Sequence, residues 1–333
     1  FSVAALVAKP GTLELALPDG VSQFVLTDAA SRPDGVLWQG HLANHPEHQL
    51  QLTQHKGMLA GLMSVQGAIY EIIPVDVGQS ALVRIQHNLY PACGGVEVPE
   101  SASKQAAEGD AAKATEGVVN PAFRDRPGDI DVLIVYTPAA RIAAGGVAQM
   151  ETTAQAAVDN SNASFANSNM ITRFNLVGAR EIDYTEAANG SGALVWLRDS
   201  PVAQAWRNEL LADMTSLIVD TTGGCGVGYL LTSLNPGFDT HAVQVTWRNC
   251  AVGNLTYAHE HGHNMGMQHN PEDAGSGSVI APDAYGHWDN SAPSAVEHFR
   301  TVLSYNCPTG VSCARRMYFS NPDVSYMGRP TGI

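Results

Sequence analysis

Eleven residues constrain this chain more than any others: His259-Glu260-His261-Gly262-His263-Asn264-Met265-Gly266-Met267-Gln268-His269. On a helix, His259 and His263 stand four positions apart and project from one face, so both imidazoles reach one ion. Glu260, next to the first of them, is placed to take a proton from water at that ion. Gly266 can adopt the positive φ that ends a helix. The chain can then turn and bring His269 back as a third ligand. Three protein ligands leave a fourth position open, as a catalytic zinc site requires and a closed structural site does not. His261 points off the ligand face and is expected to be solvated or to support the ligands. Asn254 is the expected N-cap of the helix. A bare H-E-x-x-H arises by chance fairly often, but the extended pattern fixes five positions.

The rest of the chain divides around this motif. Residues 1–100 read as a small β-rich domain. Segments such as Thr12–Leu17 and Ala81–Ile85 alternate apolar and polar residues, and Pro18-Asp19-Gly20 and Pro33-Asp34-Gly35 mark turns. Residues 101–128 are rich in Ala, Glu, Lys and Gly and read as a flexible linker open to proteases. A second domain, 129–333, opens with an apolar strand at Ile130–Tyr136. An Ala-rich helix is expected over 139–165, then strands at Arg173–Tyr184, Thr215–Asp220 and Ala242–Trp247. A short helix should start at Ser200-Pro201, with Ser as the cap and Pro in the first turn. Strands alternating with helices indicate an α/β layer structure.

Composition removes several classes of partner. Acidic residues outnumber basic ones 32 to 18, and the formal charge is -14. Nucleic acid and anionic membrane surfaces are therefore disfavoured, and no apolar run is long enough to span a bilayer. The chain opens on Phe1 without a basic stretch leading an apolar core, so the reading of a secreted protein assumes an export signal already removed. Five cysteines, Cys93, Cys225, Cys250, Cys307 and Cys313, suggest two disulfides and one thiol with a separate role. The alternative is five buried, reduced cysteines in a cytosolic protein. Four histidines of the first domain, His41, His45, His48 and His55, fit no metal-site template and read as surface residues.

The zinc motif resembles that of the metzincin metallopeptidases. The segments Cys225–Leu230, Cys250–Asn254 and Phe319–Pro322 are similar to bacterial reprolysin-like enzymes, including the peptidyl-Asp metalloendopeptidases. The resemblance covers roughly residues 129–333. It implies an α/β (α+β) catalytic domain with a twisted mixed sheet and a zinc helix, split into an upper subdomain (129–266) and a lower one (267–333), behind a β-rich inhibitory prodomain. It implies one catalytic Zn2+ on His259, His263 and His269, with Glu260 as general base, acting on protein or peptide substrates. Structural Ca2+ is conceivable, but no motif supports it. The family's Met-turn maps to Thr301–Tyr305, with Leu303 at the methionine position and Tyr305 either beside the metal or an ordinary core tyrosine. Asn270 stands where related enzymes usually carry Asp. The family's C-terminal helix is not evident after Tyr318. Substrate is expected along a sheet edge within Gly226–Leu231.

The remaining assignments concern control. The expected disulfides are Cys225–Cys250 and Cys307–Cys313, although spacing does not fix connectivity. Cys93, in Tyr90-Pro91-Ala92-Cys93-Gly94-Gly95, resembles the cysteine switch of matrixin proenzymes, a thiolate on zinc in place of water. A buried structural cysteine or a disulfide partner is the competing reading. Activation cuts are expected at Gly109-Asp110, Arg124-Asp125 or Gly128-Asp129 if cleavage falls before aspartate, with Arg248 as a conceivable partner for the acidic side chain. Two functions follow: a zinc endopeptidase made as a zymogen, or a catalytically inactive zinc-bound secreted domain that only binds a partner.

Overall fold

The computed structural model describes residues 11–99, 127–187, 189–221, 223–275 and 279–333. Residues 12–85 form one antiparallel meander. Its strands are β1 (Thr12–Leu17), β2 (Gly20–Arg32), β3 (Gly35–Leu42), β4 (His45–His55), β5 (Met58–Val65), β6 (Ala68–Asp76) and β7 (Gln79–Ile85), paired in that order. β1 shows the alternation expected from its sequence, burying Leu13, Leu15 and Leu17 and exposing the residues between them. Residues from β1 through β6 share one core that includes Phe24, Trp38, Leu52, Met63 and Tyr70. β5 departs from alternation and is buried on both faces. Its other face, with Ala60 and Leu62, joins a second core beyond the sheet.

A short strand β8 (Val96–Glu97) follows, then β9 (Asp129–Tyr136), α1 (Pro138–Ala144), α2 (Val147–Asn167), β10 (Arg173–Glu181), α3 (Gly190–Asp199), α4 (Pro201–Leu210), β11 (Met214–Val219), β12 (Gly226–Tyr229), β13 (Val243–Trp247), α5 (Arg248–Ala251) and α6 (Thr256–Asn264). The second sheet runs β10-β9-β11-β13-β12-β8. β10, β9, β11 and β13 are parallel, β12 is antiparallel to β13, and β8 is parallel to β12. Central β9 is apolar on both faces because both are covered. Val132, Ile134 and Tyr136 pack toward α2, α6 and the first sheet. Leu133 and Val135 pack toward α3 and α4.

Two sequence expectations change. The helix expected over 139–165 is two helices, because Gly145 adopts φ 99° and closes α1 before α2 begins. Ser200 and Pro201 do start α4, with the Ser200 side chain accepting from the Ala203 amide. The β-rich unit does not end as a self-contained domain at residue 100, since β8 is a strand of the second sheet. Past Tyr318 the chain makes a small hairpin of Ser325–Tyr326 and Arg329–Pro330. The candidate cuts at Asp110 and Asp125, and nearly all of the linker, lie outside the described residues.

The two sheets meet across α2. Asp159 of α2, 1% exposed, accepts from Arg32 Nη1 (2.8 Å) and Nη2 (2.5 Å) and from Thr53 Oγ1 (2.6 Å), all from the first sheet. The Thr152 hydroxyl donates to His55 O, and Gln149 Nε2 donates to Val75 O. On β6, Glu71 is buried against Gly253, with the Gly253 amide and the Arg248 charge favouring its ionised form. An ideal Cβ at Gly253 would lie 2.3 Å from Glu71 Oε2, so only glycine fits there.

Burial pushes the Glu71 carboxyl from 4.5 up to about 8, against the lowering effects of the Gly253 amide and Arg248. The docked state therefore holds a proton that the separated state releases above about pH 4.5. Docking contributed by this group is complete below pH 4.5 and declines as pH rises toward 8. The melting temperature of the full chain should fall between pH 5 and 8, and Glu71→Gln should flatten that slope, with the variant the more stable by a few kcal/mol at the alkaline end. Equal pH slopes for the two proteins would refute this account.

Candidate active site

α6 carries the motif, and its start differs from expectation. Leu255 is the N-cap, at φ 53° and without a side-chain cap. Asn254 does not cap the helix: its Nδ2 donates to Thr256 Oγ1 (3.0 Å) and Cys225 Sγ (3.4 Å), while its carbonyl accepts from Arg315. The helix ends at Asn264, and Gly266 turns the chain at φ 88°. His269 then returns to His259 and His263.

Hydrogen bonds set the orientation of the rings. His259 Nδ1 lies 2.8 Å from Val302 O, and His263 Nδ1 lies 2.7 Å from Met267 O. A carbonyl can only accept, so both Nδ1 atoms carry the proton and both Nε2 atoms present lone pairs. Those lone pairs face each other: His259 Nε2 is 3.2 Å from His263 Nε2 and 3.3 Å from His269 Nε2. No proton is available to fill the gap between His259 and His263. A cation resolves it, and zinc–nitrogen bonds of about 2.0–2.1 Å in a tetrahedron set ligand nitrogens about 3.3 Å apart. Cys93 Sγ completes the cluster, with all four ligand atoms within 4.8 Å of one another.

Without a cation the centre resists charge. Burial lowers the pKa of all three imidazoles, His263 to about 4 and His269 to about 2. Burial pushes Glu260 up to about 8, and burial with Glu260 nearby raises the Cys93 thiol well above its usual value. A divalent ion reverses that balance. Neither carboxylate oxygen of Glu260 has a hydrogen-bond partner by geometry, although the Cys93 thiol stands beside it. Gly226 and Gly228 of β12 pass directly over Glu260. An ideal Cβ on Gly226 would lie 2.7 Å from Glu260 Oε1, and one on Gly228 would lie 2.8 Å from Glu260 O.

Residues 301–305 form a turn below the helix. Leu303 packs against Gly262, and Val302 supplies the carbonyl that orients His259. The Tyr305 ring lies 3.9 Å from that of His269. Burial raises the Tyr305 pKa, and the Cys93 thiol, which donates to Gly95 O at 3.4 Å, is close enough to raise it further. Asn270 ties the turn down. Its Oδ1 accepts from the Tyr305 amide (2.9 Å) and the Ser304 hydroxyl (3.3 Å), while its Nδ2 donates to Glu272 and Asp273. An aspartate could accept in this way but could not make the second pair of bonds.

His261 is neither solvated nor near the metal cluster. It is buried against Phe174 and Tyr257, with Nε2 2.7 Å from Ser216 Oγ and Nδ1 3.1 Å from Asn264 Oδ1. Of the first-domain histidines, His45 and His48 come together with Glu47, and His48 is buried, not surface-exposed. Arg248 lies away from the cluster, paired with Asp220 at 3.2 Å. The disulfides are Cys225–Cys250 and Cys307–Cys313, and Cys93 is free.

The segment before β8 lies in the cleft. Ala92 O accepts from the Cys225 amide (3.1 Å), the Gly94 amide donates to Gly226 O (2.7 Å), and Glu97 O accepts from the Leu230 amide (2.9 Å). Beside the cluster is a cavity of about 230 Å3, lined by His259, Tyr305, Cys93, Pro91, Arg300 and Arg315 among others. Sequence reading missed both arginines. The Arg315-Arg316 doublet, two residues past Cys313 in a chain with only 18 basic residues, was the available signal.

Residues 126–322 match the family model for metallo-peptidase family M12, reprolysin type. The chain is 29% identical to a peptidyl-Asp metalloendopeptidase of Stenotrophomonas maltophilia over 353 residues, covering 99% of this chain and 80% of that protein. It is 29% identical to one of Xanthomonas campestris pv. campestris, covering 86% and 65%. A shorter match, 38% identical over 81 residues, is to one of Pseudomonas fragi, covering 24% and 51%. The family match spans more than half of the sequence, including the entire histidine motif, and the chain belongs to metallo-peptidase family M12 as a zinc metalloendopeptidase.

Proposed function

We propose that this chain is the proenzyme of a secreted zinc endopeptidase, silenced by Cys93 and specific for bonds on the amino side of aspartate. The observation that carries the reading is the convergence of three histidine nitrogens and one cysteine sulfur on one point. His259, His263 and His269 hold the metal, and Cys93 takes the fourth position, where water must otherwise stand. Residues 1–100 are the inhibitory prodomain and 101–128 the activation linker. Two disulfides suit an oxidising, extracellular compartment. The aspartate preference rests on the names of the relatives.

Zinc bound there lowers the pKa of water toward neutrality and polarises the scissile carbonyl. The chain's own groups do the rest. With Cys93 withdrawn, Glu260 Oε takes a proton from water and delivers it to the leaving amine. Gly226 and Gly228 keep β12 close enough for its backbone to bind an extended substrate, using the edge that residues 92–97 occupy in the proenzyme. Tyr305, which lies beside His269 and the Cys93 thiol, is then free to donate to the carbonyl oxygen as it gains charge.

The purified full chain should contain about one zinc. His263→Ala should lose most of it. Glu260→Ala should keep the metal while casein hydrolysis falls about 100-fold or more. Cys93→Ala should keep the metal and process itself without an activator. Full hydrolysis by Glu260→Ala, or hydrolysis insensitive to a chelator, would refute this catalytic centre, and no hydrolysis by the matured wild type would leave the inactive binding domain as the reading.

Maturation should produce a new N-terminus within the linker, at Asp110 or Asp125. The Gly128-Asp129 bond is a poorer site. Gly128 O accepts from the Arg173 amide at 2.8 Å, and Asp129 is already in the β9 ladder. Mass spectrometry of the matured protein reads the outcome. A cut inside 129–333 is incompatible with the zymogen scheme, while a linker cut away from aspartate removes only the specificity.

A further inference from the structure

Arg300 and Arg315 are almost fully buried and lie in the wall of the cavity beside His259 and Tyr305. Both are directed at one acceptor. Arg300 Nη1 donates to Ser304 O at 2.8 Å, and Arg315 Nη2 donates to the same oxygen at 3.0 Å. Arg315 Nη1 donates to Asn254 O at 2.7 Å. The Nε of each has no partner, and among the described residues neither guanidinium has a carboxylate within ion-pair distance. The other buried arginine without an ion pair, Arg316, lies over the Tyr326 ring and does not line this cavity.

Two buried cations sharing one carbonyl is a costly arrangement unless an anion joins them. Burial pushes Arg315 down to about 10, and burial together with the neighbouring Arg315 charge pushes Arg300 well below its usual value. Among the described residues no carboxylate pairs with either arginine, and Glu260 acts on Arg315 only electrostatically, without an ion pair or hydrogen bond between them. The prosegment residues lining the cavity are His87, Tyr90, Pro91, Ala92 and Cys93, none of them acidic. Asp273 stands at the exposed mouth, where it accepts from Asn270 Nδ2 at 2.8 Å, and it pairs with neither arginine. The cavity also opens beside His259, within reach of the residue that flanks a bond held at the metal.

We propose that Arg315, assisted by Arg300, is the specificity determinant of this enzyme and receives the carboxylate of an acidic substrate side chain next to the scissile bond. This rests on the endopeptidase reading above and names the groups that give it an aspartate preference. It replaces Arg248, which is already neutralised by Asp220. A guanidinium fork matches a carboxylate in two parallel hydrogen bonds, which a neutral amide cannot reproduce. None of the prosegment residues that line the cavity is acidic, and Glu97, farther along the edge strand, bonds Ser191 instead, so the determinant stays unused.

The test uses the full chain after maturation and two peptides that differ only in Asp or Asn after the scissile bond. The wild type should favour Asp by about 10- to 100-fold in kcat/KM, as expected for hydrogen bonds to a charged group. Arg315→Lys and Arg300→Gln should each shrink that ratio, Arg315→Lys the more, because activity toward Asp falls further than activity toward Asn. Arg300→Gln loses one backbone contact and is the safer variant should Arg315→Lys fail to fold. Equal losses on both peptides would mean that the arginines act only on structure or on the transition state, which overturns the proposal while the aspartate preference stands. Hydrolysis without preference between the peptides in the wild type overturns the proposal and the aspartate preference but leaves the zinc endopeptidase intact. Absence of hydrolysis of either peptide or of casein by matured wild type overturns all three.

Discussion

The active centre depends on two backbone carbonyls. Val302 O and Met267 O each accept from an imidazole Nδ1, and those bonds fix which nitrogen of His259 and His263 is left bare. Helical spacing alone puts the rings on one face but leaves both tautomers available. The carbonyls come from segments outside the helix, one from the turn that Asn270 holds down and one from the turn after Gly266. The metal cluster therefore requires the lower part of the chain to be folded. At the expected methionine position, the turn supplies the Val302 carbonyl and the apolar surface of Leu303 against Gly262.

The same centre organises the prosegment. Cys93 can reach it because residues 92–97 are tied to the edge of the second sheet by main-chain bonds on both sides of the thiol. The Cys225–Cys250 disulfide fixes that edge to the start of the zinc-helix region, and Cys225 itself donates its amide to Ala92. Four cysteines are consumed in bonds that shape the catalytic side, and the fifth stays free because none remains to pair with it.

Much of this was legible in sequence where local chemistry decides the outcome. The H-E-x-x-H-x-x-G-x-x-H pattern placed the ligands, the Gly turn and the helix together, because each position has a residue type that few other structures require. β1, β9 and the Ser200-Pro201 helix start were legible for the same reason. What could not be read depends on contacts far apart in the chain. Asn254 has the composition of a cap but is drawn into bonds with Thr256 and Cys225. His261 is polar and off the ligand face, yet Ser216, 45 residues earlier, gives it a partner in the core. Arg300 and Arg315 are scarcely separable from surface arginines until the cavity they line is visible. β8 lacks the length to announce itself and exists because β12 offers an open edge.

Cutting the linker and opening the cleft are, in the scheme proposed here, separate events. The first sheet is held by contacts of its own strands with α2, with the segment before α6 and with the core of the second sheet. Those contacts are the Arg32–Asp159 pair, Glu71 against Gly253, and the apolar Ala60, Leu62, Ile69 and Ile85 within the core of the second sheet. Separation strips Asp159 of three donors and leaves Gln155 as its remaining partner. A buried ion pair broken on one side costs about 3–5 kcal/mol until water reaches the charge. A chain nicked between residues 100 and 129 consequently keeps Cys93 at the metal until the first sheet is itself unfolded, digested or diluted away. What limits the appearance of activity is then the stability of the docked meander, and the linker decides only whether its release is possible.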